Sequence, residues 1–194
     1  MSIQKLIESL QKHIDLSRHE QEMLADFLLV KIIRKKQFLL HEGQVAKDVA
    51  FVLSGCLRSY SIDQNGFEHI LQFAPEGWWI TDMYSFISQQ PTHLNIDALM
   101  DTEVYLLSRE NQLHLFDKIP KLERYFRIVT ENSLVSSRQR LMDNLSLTAS
   151  QRYGNFCDTY PTLINDLPQK LIAAYIGVTP EFLSKLRNAK TKKS

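Results

Sequence analysis

Cysteine is scarce in this sequence, which has only Cys56 and Cys157 among its 194 residues. Two cysteines this far apart cannot form a disulfide framework, and they include no CxxC pair for zinc. They also cannot supply the four ligands that an iron-sulfur cluster needs. Both are therefore predicted to be reduced structural thiols, and no iron-sulfur cluster or metal site is expected.

Long hydrophobic runs are also missing, since no stretch of eighteen apolar residues occurs, and this argues against a membrane-spanning helix. The first sixteen residues alternate apolar and polar side chains, and they lack the continuous apolar core of a secretory signal peptide. The composition of 44% hydrophobic and 23% charged residues suits a sizeable core. These features predict a soluble, cytoplasmic protein without a membrane partner.

An excess of charge of one sign is missing as well, because the net charge is only +1. The charges are unevenly distributed, however. Residues 168–194 carry six cations against the single anion Glu181, a net charge of +5, so the rest of the chain sums to −4. A basic end on a mildly acidic body is typical of a polyanion-binding module, although a solvated terminus would carry the same charges.

Apolar periodicity predicts helices at both ends of the chain and strands between them. The first helix falls within residues 3–14, and Ser17 with Glu20 forms a capping box before a second one. Residues 36–107 change to short runs rich in β-branched and aromatic side chains, separated by turn residues such as Ser54-Gly55. Short strands at this regular spacing favour an antiparallel sandwich or barrel.

Helical periodicity returns after Ser108 and predicts a long helix over about 121–143, then a further helix over Ala149–Thr159. The apolar seam of the long helix needs a surface to cover it. A second copy of the chain is the predicted partner, and packing on the chain's own sheet is the alternative. The residues predicted to dimerise are Leu122, Phe126, Val129, Leu134 and Leu141.

Residues 166–193 predict two more helices, joined by a tight turn. The first is entered through Asp166 and Pro168 and ends at Gly177, which can adopt the left-handed conformation that such a turn requires. Thr179 is the predicted cap of the second helix. The pattern is typical of a helix-turn-helix, which places its second helix in the major groove of DNA, and a plain helical hairpin is the alternative.

The outward side of the second helix carries the side chains predicted to contact double-stranded DNA. The Glu181 carboxylate can accept from a cytosine amino group, and the Lys185 ammonium can donate to guanine or to a phosphate. The full set of predicted DNA-binding residues is Gln169, Thr179, Pro180, Glu181, Ser184, Lys185, Arg187, Asn188 and Lys190. The turn glycine with the small Ala173, the Thr-Pro-Glu cap and the local +5 charge together favour DNA binding over a plain hairpin.

This order of elements resembles the cyclic-AMP receptor protein and fumarate-nitrate regulator (Crp/Fnr) family over nearly the full length. Residues 51–58 (FVLSGCLR) resemble its strand-Gly-strand signature, residues 73–80 (FAPEGWWI) the approach to its ligand pocket, and residues 169–187 its helix-turn-helix. The resemblance implies an α+β fold with an N-terminal double-stranded β-helix (a cyclic-nucleotide-binding-like β-roll), a long dimerisation helix and a C-terminal helix-turn-helix domain. The sensor domain would cover residues 1–143 and the DNA-binding domain residues 144–194.

The same resemblance implies a DNA-binding transcription regulator rather than an enzyme. Such a regulator acts as a homodimer on a near-palindromic operator, and it allows RNA polymerase as a further partner. The candidates for a ligand pocket are Gly77, Trp78, Trp79, Thr81, Asp82 and His93. The effector and any cofactor stay unassigned.

The candidate pocket departs from the family's pattern for cyclic nucleotides. Cyclic-nucleotide binders of the family hold the ribose with a Gly-Glu pair and the cyclic phosphate with an Arg that follows after a short interval. Here Thr81-Asp82 replaces the pair, and residues 89–95 contain neither Arg nor Lys. A phosphate buried without a fixed cation is poorly compensated, and His93 would help only if protonated. The sequence therefore predicts that cyclic AMP is not the ligand.

Two other functions stay open. A β-roll is also the fold of cupin-type metal-dependent enzymes, but His41, His69 and Glu68 lack the HxH-type spacing of a metal cluster. The other alternative is a regulatory domain that binds a ligand or a protein partner without binding DNA.

Overall fold

The computed structural model describes residues 3–191, with side chains as far as Asn188. Helices stand at both ends of the chain and strands in its middle, so the predicted α+β fold with a β-rich domain is confirmed. The elements are α1 (Gln4–Gln11), α2 (Arg18–Asp26), β1 (Leu29–Ile33), β2 (Phe38–Leu40), β3 (Asp48–Ser54), β4 (Cys56–Ile62), β5 (Glu68–Pro75), β6 (Trp79–Ile80), α3 (Met83–Ser88), β7 (Asn95–Ala98), β8 (Thr102–Ser108), α4 (Arg109–Lys118), α5 (Lys121–Ser146), α6 (Ala149–Thr159), α7 (Gln169–Ile176) and α8 (Pro180–Thr191).

The predicted capping box at the start of α2 is confirmed. The Ser17 backbone N–H donates to the Glu20 carboxylate over 2.7 Å, and the Glu20 N–H donates to the Ser17 hydroxyl over 3.3 Å. The bond from the Ser17 backbone, followed by one from the Lys121 ammonium, holds the pKa of Glu20 below its usual value. Two donors at the helix start are thus satisfied by neighbours three residues apart, which is why the sequence could predict them.

The strands form two four-stranded sheets, with the orders β1-β8-β3-β6 and β2-β7-β4-β5. The described pairs run antiparallel, as predicted. Five consecutive residues of β3, Val49–Leu53, are buried and belong to one hydrophobic core, together with residues from β8, α1 and the start of α5. A strand buried on both faces cannot alternate apolar and polar side chains, which explains its continuous apolar run.

A buried ion pair joins β4 to β7. Arg58 and Asp97 lie directly opposite each other in the sheet. The Arg58 guanidinium donates to both Asp97 carboxylate oxygens, over 2.7 Å from Nε and 3.0 Å from Nη2. It also lies over the Tyr60 ring, 4.1 Å from the ring centroid. Because a charge buried alone is costly, this pair favours the observed register over a shifted one.

The chain divides into two compact units. One comprises residues 1–61 and 72–132, and the other comprises residues 62–71 and 133–194. The first unit contains the hydrophobic core described above. The second contains α6, α7 and α8 with their own buried residues.

The burial of residues along the long helix α5 corrects the prediction for one of the dimerisation residues. Leu122 is only 1% exposed and belongs to the core of the first unit, so the prediction that it contacts a second copy is wrong. Phe126 and Val129 pack partly against the same core. Leu134 and Leu141 are more than half exposed, and they stay predicted dimer contacts. The apolar residues at the start of α5 thus belong to the chain's own core, and those further along, on another side of the helix, are exposed.

Candidate nucleic-acid interface

Helix α7 begins at Gln169, and Asp166 lies before its N-cap. Its N-cap is Pro168, which makes no side-chain capping bond. Asp166 instead belongs to the preceding turn, where its N–H donates to the Leu163 carbonyl over 3.2 Å. The helix buries Leu171, Ile172, Ala173 and Ile176. The apolar side of α7 therefore holds it against the rest of the second unit.

The turn between α7 and α8 has the geometry that the sequence predicts. Gly177 adopts the left-handed conformation, with φ 71° and ψ 45°, and its N–H donates to the Ala173 carbonyl. The Val178 N–H donates to the same carbonyl over 3.0 Å. The Thr179 hydroxyl then accepts from the Phe182 N–H over 3.3 Å, which confirms Thr179 as a cap. Ala173 and Leu183 are fully buried where the two helices meet.

Helix α6 supports this pair of helices through aromatic packing. The Tyr175 ring of α7 lies edge-on to Phe156 and to Tyr160, with centroids 5.5 Å and 5.6 Å apart. A capping box between Thr148 and Gln151 begins α6. The bounds of α6 coincide with the helix predicted over Ala149–Thr159, because this cap and the Pro after Tyr160 are local signals.

Two arginines that the sequence did not single out fix the end of α7. Arg152 donates from Nε to the Ile176 carbonyl over 2.9 Å and from Nη1 to the Leu147 carbonyl over 2.8 Å. Arg140 donates to the Tyr175 carbonyl over 3.1 Å, and its guanidinium lies 4.0 Å from the Tyr175 ring centroid. Carbonyls at a helix end need such donors. Here the donors come from other helices, so no short spacing in the sequence reveals them.

The outward side of α8 is polar and accessible. Glu181, Lys185 and Asn188 are exposed at positions that share one side of the helix, and Ser184 beside them is half-buried. Hydrogen bonds from its own backbone N–H and then from the Thr179 hydroxyl hold the pKa of Glu181 below its usual value. This side therefore presents a carboxylate, an ammonium and an amide to solvent.

The other predicted DNA-binding residues are less uniformly placed. Gln169, Thr179 and Pro180 are exposed near the helix starts. Arg187 is half-buried, and its charge acts on the phenol of Tyr153, whose pKa is raised mainly by burial and then by Cys157. The Lys190 side chain lies outside the described part of the chain. Between residues 147 and 191, all of which are described, no strand accompanies the helices.

The predicted ligand-pocket residues occupy different surroundings in the first unit. Trp79 is half-buried between Phe51 and Phe126, and its Nε1–H donates to the Tyr125 hydroxyl over 2.9 Å. The Thr81 hydroxyl donates to the Asp48 carbonyl over 2.9 Å. Trp79 thus joins strand β6 to α5 within the core. The Thr81 hydroxyl is engaged in a hydrogen bond to the backbone.

Three more of these candidates lie at the surface. Gly77 and Trp78 form an exposed turn before β6, where the Gly77 N–H donates to the Val52 carbonyl over 2.8 Å. His93 is exposed, and its ring is stacked on that of Tyr84 at a centroid distance of 6.4 Å.

Asp82 is the one charged candidate that is buried. Its carboxylate accepts the Tyr84 N–H over 3.1 Å, which caps α3, and the Thr92 hydroxyl over 2.5 Å. Thr92 in turn ties this segment to the loop after β2, because its N–H donates to the Gln44 carbonyl over 2.7 Å. Both carboxylate oxygens therefore already accept hydrogen bonds from the chain itself.

Among the described residues, no group of three His, Cys, Asp or Glu side chains is arranged to hold a metal ion. The candidate ligands have other partners, since His41 stacks on Phe38 at 3.6 Å between centroids and His69 pairs with Asp63 over 2.9 Å. Cys56 is buried, and burial raises the pKa of its thiol to about 12. No helix of the described chain is long and apolar enough to cross a membrane.

Comparisons with known proteins agree on the fold. Residues 30–118 match the family model described as the cyclic nucleotide-binding domain. The c-di-GMP-responsive global regulator CLP of Xanthomonas campestris is similar in structure, with TM-score 0.72, 13% identity, and coverage of 91% of this chain and 93% of that chain. FixK2 of Bradyrhizobium japonicum gives TM-score 0.72, 20% identity, and coverage of 86% and 85%.

A third structure, described as a putative regulator of the Crp/Fnr family from Eubacterium rectale, gives TM-score 0.70 and 15% identity, with coverage of 92% of this chain and 85% of that chain. No curated protein sequence matches the chain. At identities this low the likeness concerns the fold, and it extends over both units of the chain.

Proposed function

On the premise that residues 30–118 form a cyclic nucleotide-binding domain and that the chain has the Crp/Fnr fold, we propose that it is a transcription regulator that binds double-stranded DNA. Helix α8 would enter the major groove as the second helix of a helix-turn-helix. The protein would act in the cytoplasm and would not be an enzyme. RNA polymerase is proposed as a further partner only because of the family resemblance.

The outward side of α8 carries this proposal. Glu181, Lys185 and Asn188 form an exposed row along α8, and the rigid turn before α8 fixes the direction in which this row faces. Here the Gly177 turn and the buried Ala173 and Leu183 hold α8 while that row faces solvent. Carboxylate, ammonium and amide groups are those that read base edges in a major groove.

Lys185→Ala tests the interface directly. Duplexes selected from a random pool by the full-length protein serve as the probe, and fluorescence anisotropy measures affinity over a range of salt concentrations. If Lys185 contacts phosphate in both protomers of a dimer, we expect affinity to fall about tenfold for all sequences and the salt slope to flatten by about two. If it reads a base, discrimination between the selected site and its mutants should fall instead.

The matched control is Lys12→Ala, which removes an exposed lysine just after α1 in the other unit. Its affinity for the same duplexes should equal that of the wild type. A wild-type protein that binds no duplex at low salt, or equal losses for the two variants, would contradict the proposal.

We further propose a homodimer, in which the exposed part of α5 packs against its counterpart. Leu134, Leu141 and Leu145 lie on one side of the helix, seven and four residues apart, and all are more than half exposed. Val135 and Met142 widen this apolar side. Two α8 helices related by a two-fold axis would read half-sites about one turn of DNA apart.

The proposed effector is not cyclic AMP. The supporting observation is the buried Asp82 carboxylate, whose oxygens accept from Tyr84 and Thr92, in a segment without any Lys or Arg from residue 89 to 95. Titration of the protein with cyclic AMP in a calorimeter should give no saturable heat. Tight, saturable binding would overturn this part of the proposal.

A further inference from the structure

Strand β1 is a sheet edge whose exposed side chains are apolar. It pairs with β8 along one side and is the first strand of its sheet, so no described strand covers its other side. Leu29 is 64% exposed, Val30 47% and Ile32 55%. Proteins usually blunt such edges, because unpaired backbone groups beside apolar side chains invite another strand to pair.

The same edge is basic. Residues 29–38 contain Lys31, Arg34, Lys35 and Lys36 and no acidic residue. Asp101 is engaged by Arg34 over 2.8 Å and by the Lys35 backbone N–H over 2.9 Å. An open cleft of about 640 Å³ extends from the second half of β1 to β2, and its lining includes Lys31, Lys36, Phe38 and His41. An approaching strand would therefore meet both exposed apolar groups and positive charge.

This charge selects the occupant. Lys31 is the central residue of β1, so symmetric antiparallel pairing of two β1 strands from two copies would place the two Lys31 side chains opposite each other, and like charges that face each other across strands are destabilising. An acidic partner would gain from Lys31 and from Lys35 and Lys36, which follow the strand. We propose that β1 binds an extended acidic segment of another protein by strand addition, an interaction beyond the proposed DNA binding.

The pleat of β1 also determines the pattern of that segment. Successive side chains point to opposite faces, so Val30 and Ile32 share one face and Lys31 lies on the other. A neighbouring strand must place apolar side chains beside Val30 and Ile32, and carboxylates beside Lys31. The favoured partner therefore alternates apolar and acidic residues over about five positions, with backbone hydrogen bonds supplying affinity.

The probe is a fluorescent eight-residue peptide that alternates glutamate and valine, titrated into the full-length protein and followed by anisotropy. We expect saturable binding that weakens with salt. A peptide with lysine in place of glutamate, and one with the same residues arranged in two blocks, should bind at least about tenfold more weakly. Hydrogen exchange of the complex should show added protection at amides of Leu29–Ile33.

Two variants locate the site. Lys31→Glu should lower peptide affinity about tenfold, and Ile32→Thr, which keeps a β-branched strand former, should lower it several-fold. Lys12→Glu makes the same charge change in the same unit, away from β1, and should leave affinity unchanged. Melting temperatures report whether each variant is folded. If Lys31→Glu does not fold, the peptide affinity of Ile32→Thr tests the site instead.

Three outcomes would overturn the inference: no saturable binding of the alternating peptide, equal losses for Lys31→Glu and Lys12→Glu, or unchanged protection along β1. Self-association of the free protein that Ile32→Thr abolishes would assign the edge to a second copy instead, and would also overturn it. DNA binding by the wild type is measured separately, so its success or failure is independent of these results.

Discussion

Gly55→Ala should lower the free energy of unfolding of the first unit by about 2–5 kcal/mol. The left-handed backbone conformation of an alanine costs about 1–2 kcal/mol of this, and overpacking by its Cβ costs about 1–3 kcal/mol. Gly55 joins β3 to β4 with φ +89°. A Cβ there would lie 2.5 Å from Thr102 Oγ1 and 2.6 Å from the Asp101 carbonyl oxygen. The carbonyl belongs to the backbone, and the threonine hydroxyl already accepts from the Cys56 N–H over 3.0 Å, so neither atom can move freely.

Gly43→Ala is the matched control for this prediction. Gly43 has a similar φ of +83°, but a Cβ there would meet nothing within 4 Å. It should therefore show only the backbone cost of about 1–2 kcal/mol. Both tryptophans, Trp78 and Trp79, lie in the first unit, so urea unfolding followed by tryptophan fluorescence reports on this unit. Equal losses of unfolding free energy for the two variants would show that the close approach of Thr102 and Asp101 to Gly55 does not add to the cost of a Cβ there.

Leu141→Asp should weaken dimerisation by two orders of magnitude or more. Full burial of a leucine side chain stabilises by about 1.5–3 kcal/mol, and a two-fold dimer loses two of them. The resulting 3–6 kcal/mol corresponds to about a hundredfold change in the dimer constant or more. Sedimentation equilibrium should give twice the chain mass of 22.6 kDa for the wild type and a concentration-dependent shift towards one chain for the variant.

Affinity for a two-fold operator should fall in parallel, because a monomer presents one α8 helix instead of two. The control is Leu113→Asp, since Leu113 in α4 is 52% exposed and Leu141 60%, so the same substitution is made at a comparable site. Leu113→Asp should leave both the mass and the DNA affinity unchanged. A wild-type protein that sediments as a single chain at all concentrations would refute the dimer.

Part of the candidate interface could be predicted from the sequence because its causes are local. The cap Thr179 and the left-handed Gly177 act within one turn of the helices that they bound. The row of Glu181, Lys185 and Asn188 follows from helical spacing alone. Arg140 and Arg152 could not be found in this way, because each donates to a carbonyl that lies more than twenty residues away in the chain.

The sequence by itself determined the elements whose signals lie three to five residues apart, including the capping box of α2, the bounds of α6 and the turn before α8. It also predicted the order of helices and strands on which the family resemblance rests. Only the tertiary structure decided which apolar residues are covered. Leu122 and Leu141 both lie in α5 and were both predicted to contact a second copy, yet one lies in the core and the other in solvent. Exposed apolar side chains along β1 and the pairing of Arg58 with Asp97 were decided in the same way. Periodicity shows that a face is apolar, and what packs against it depends on residues distant in the chain.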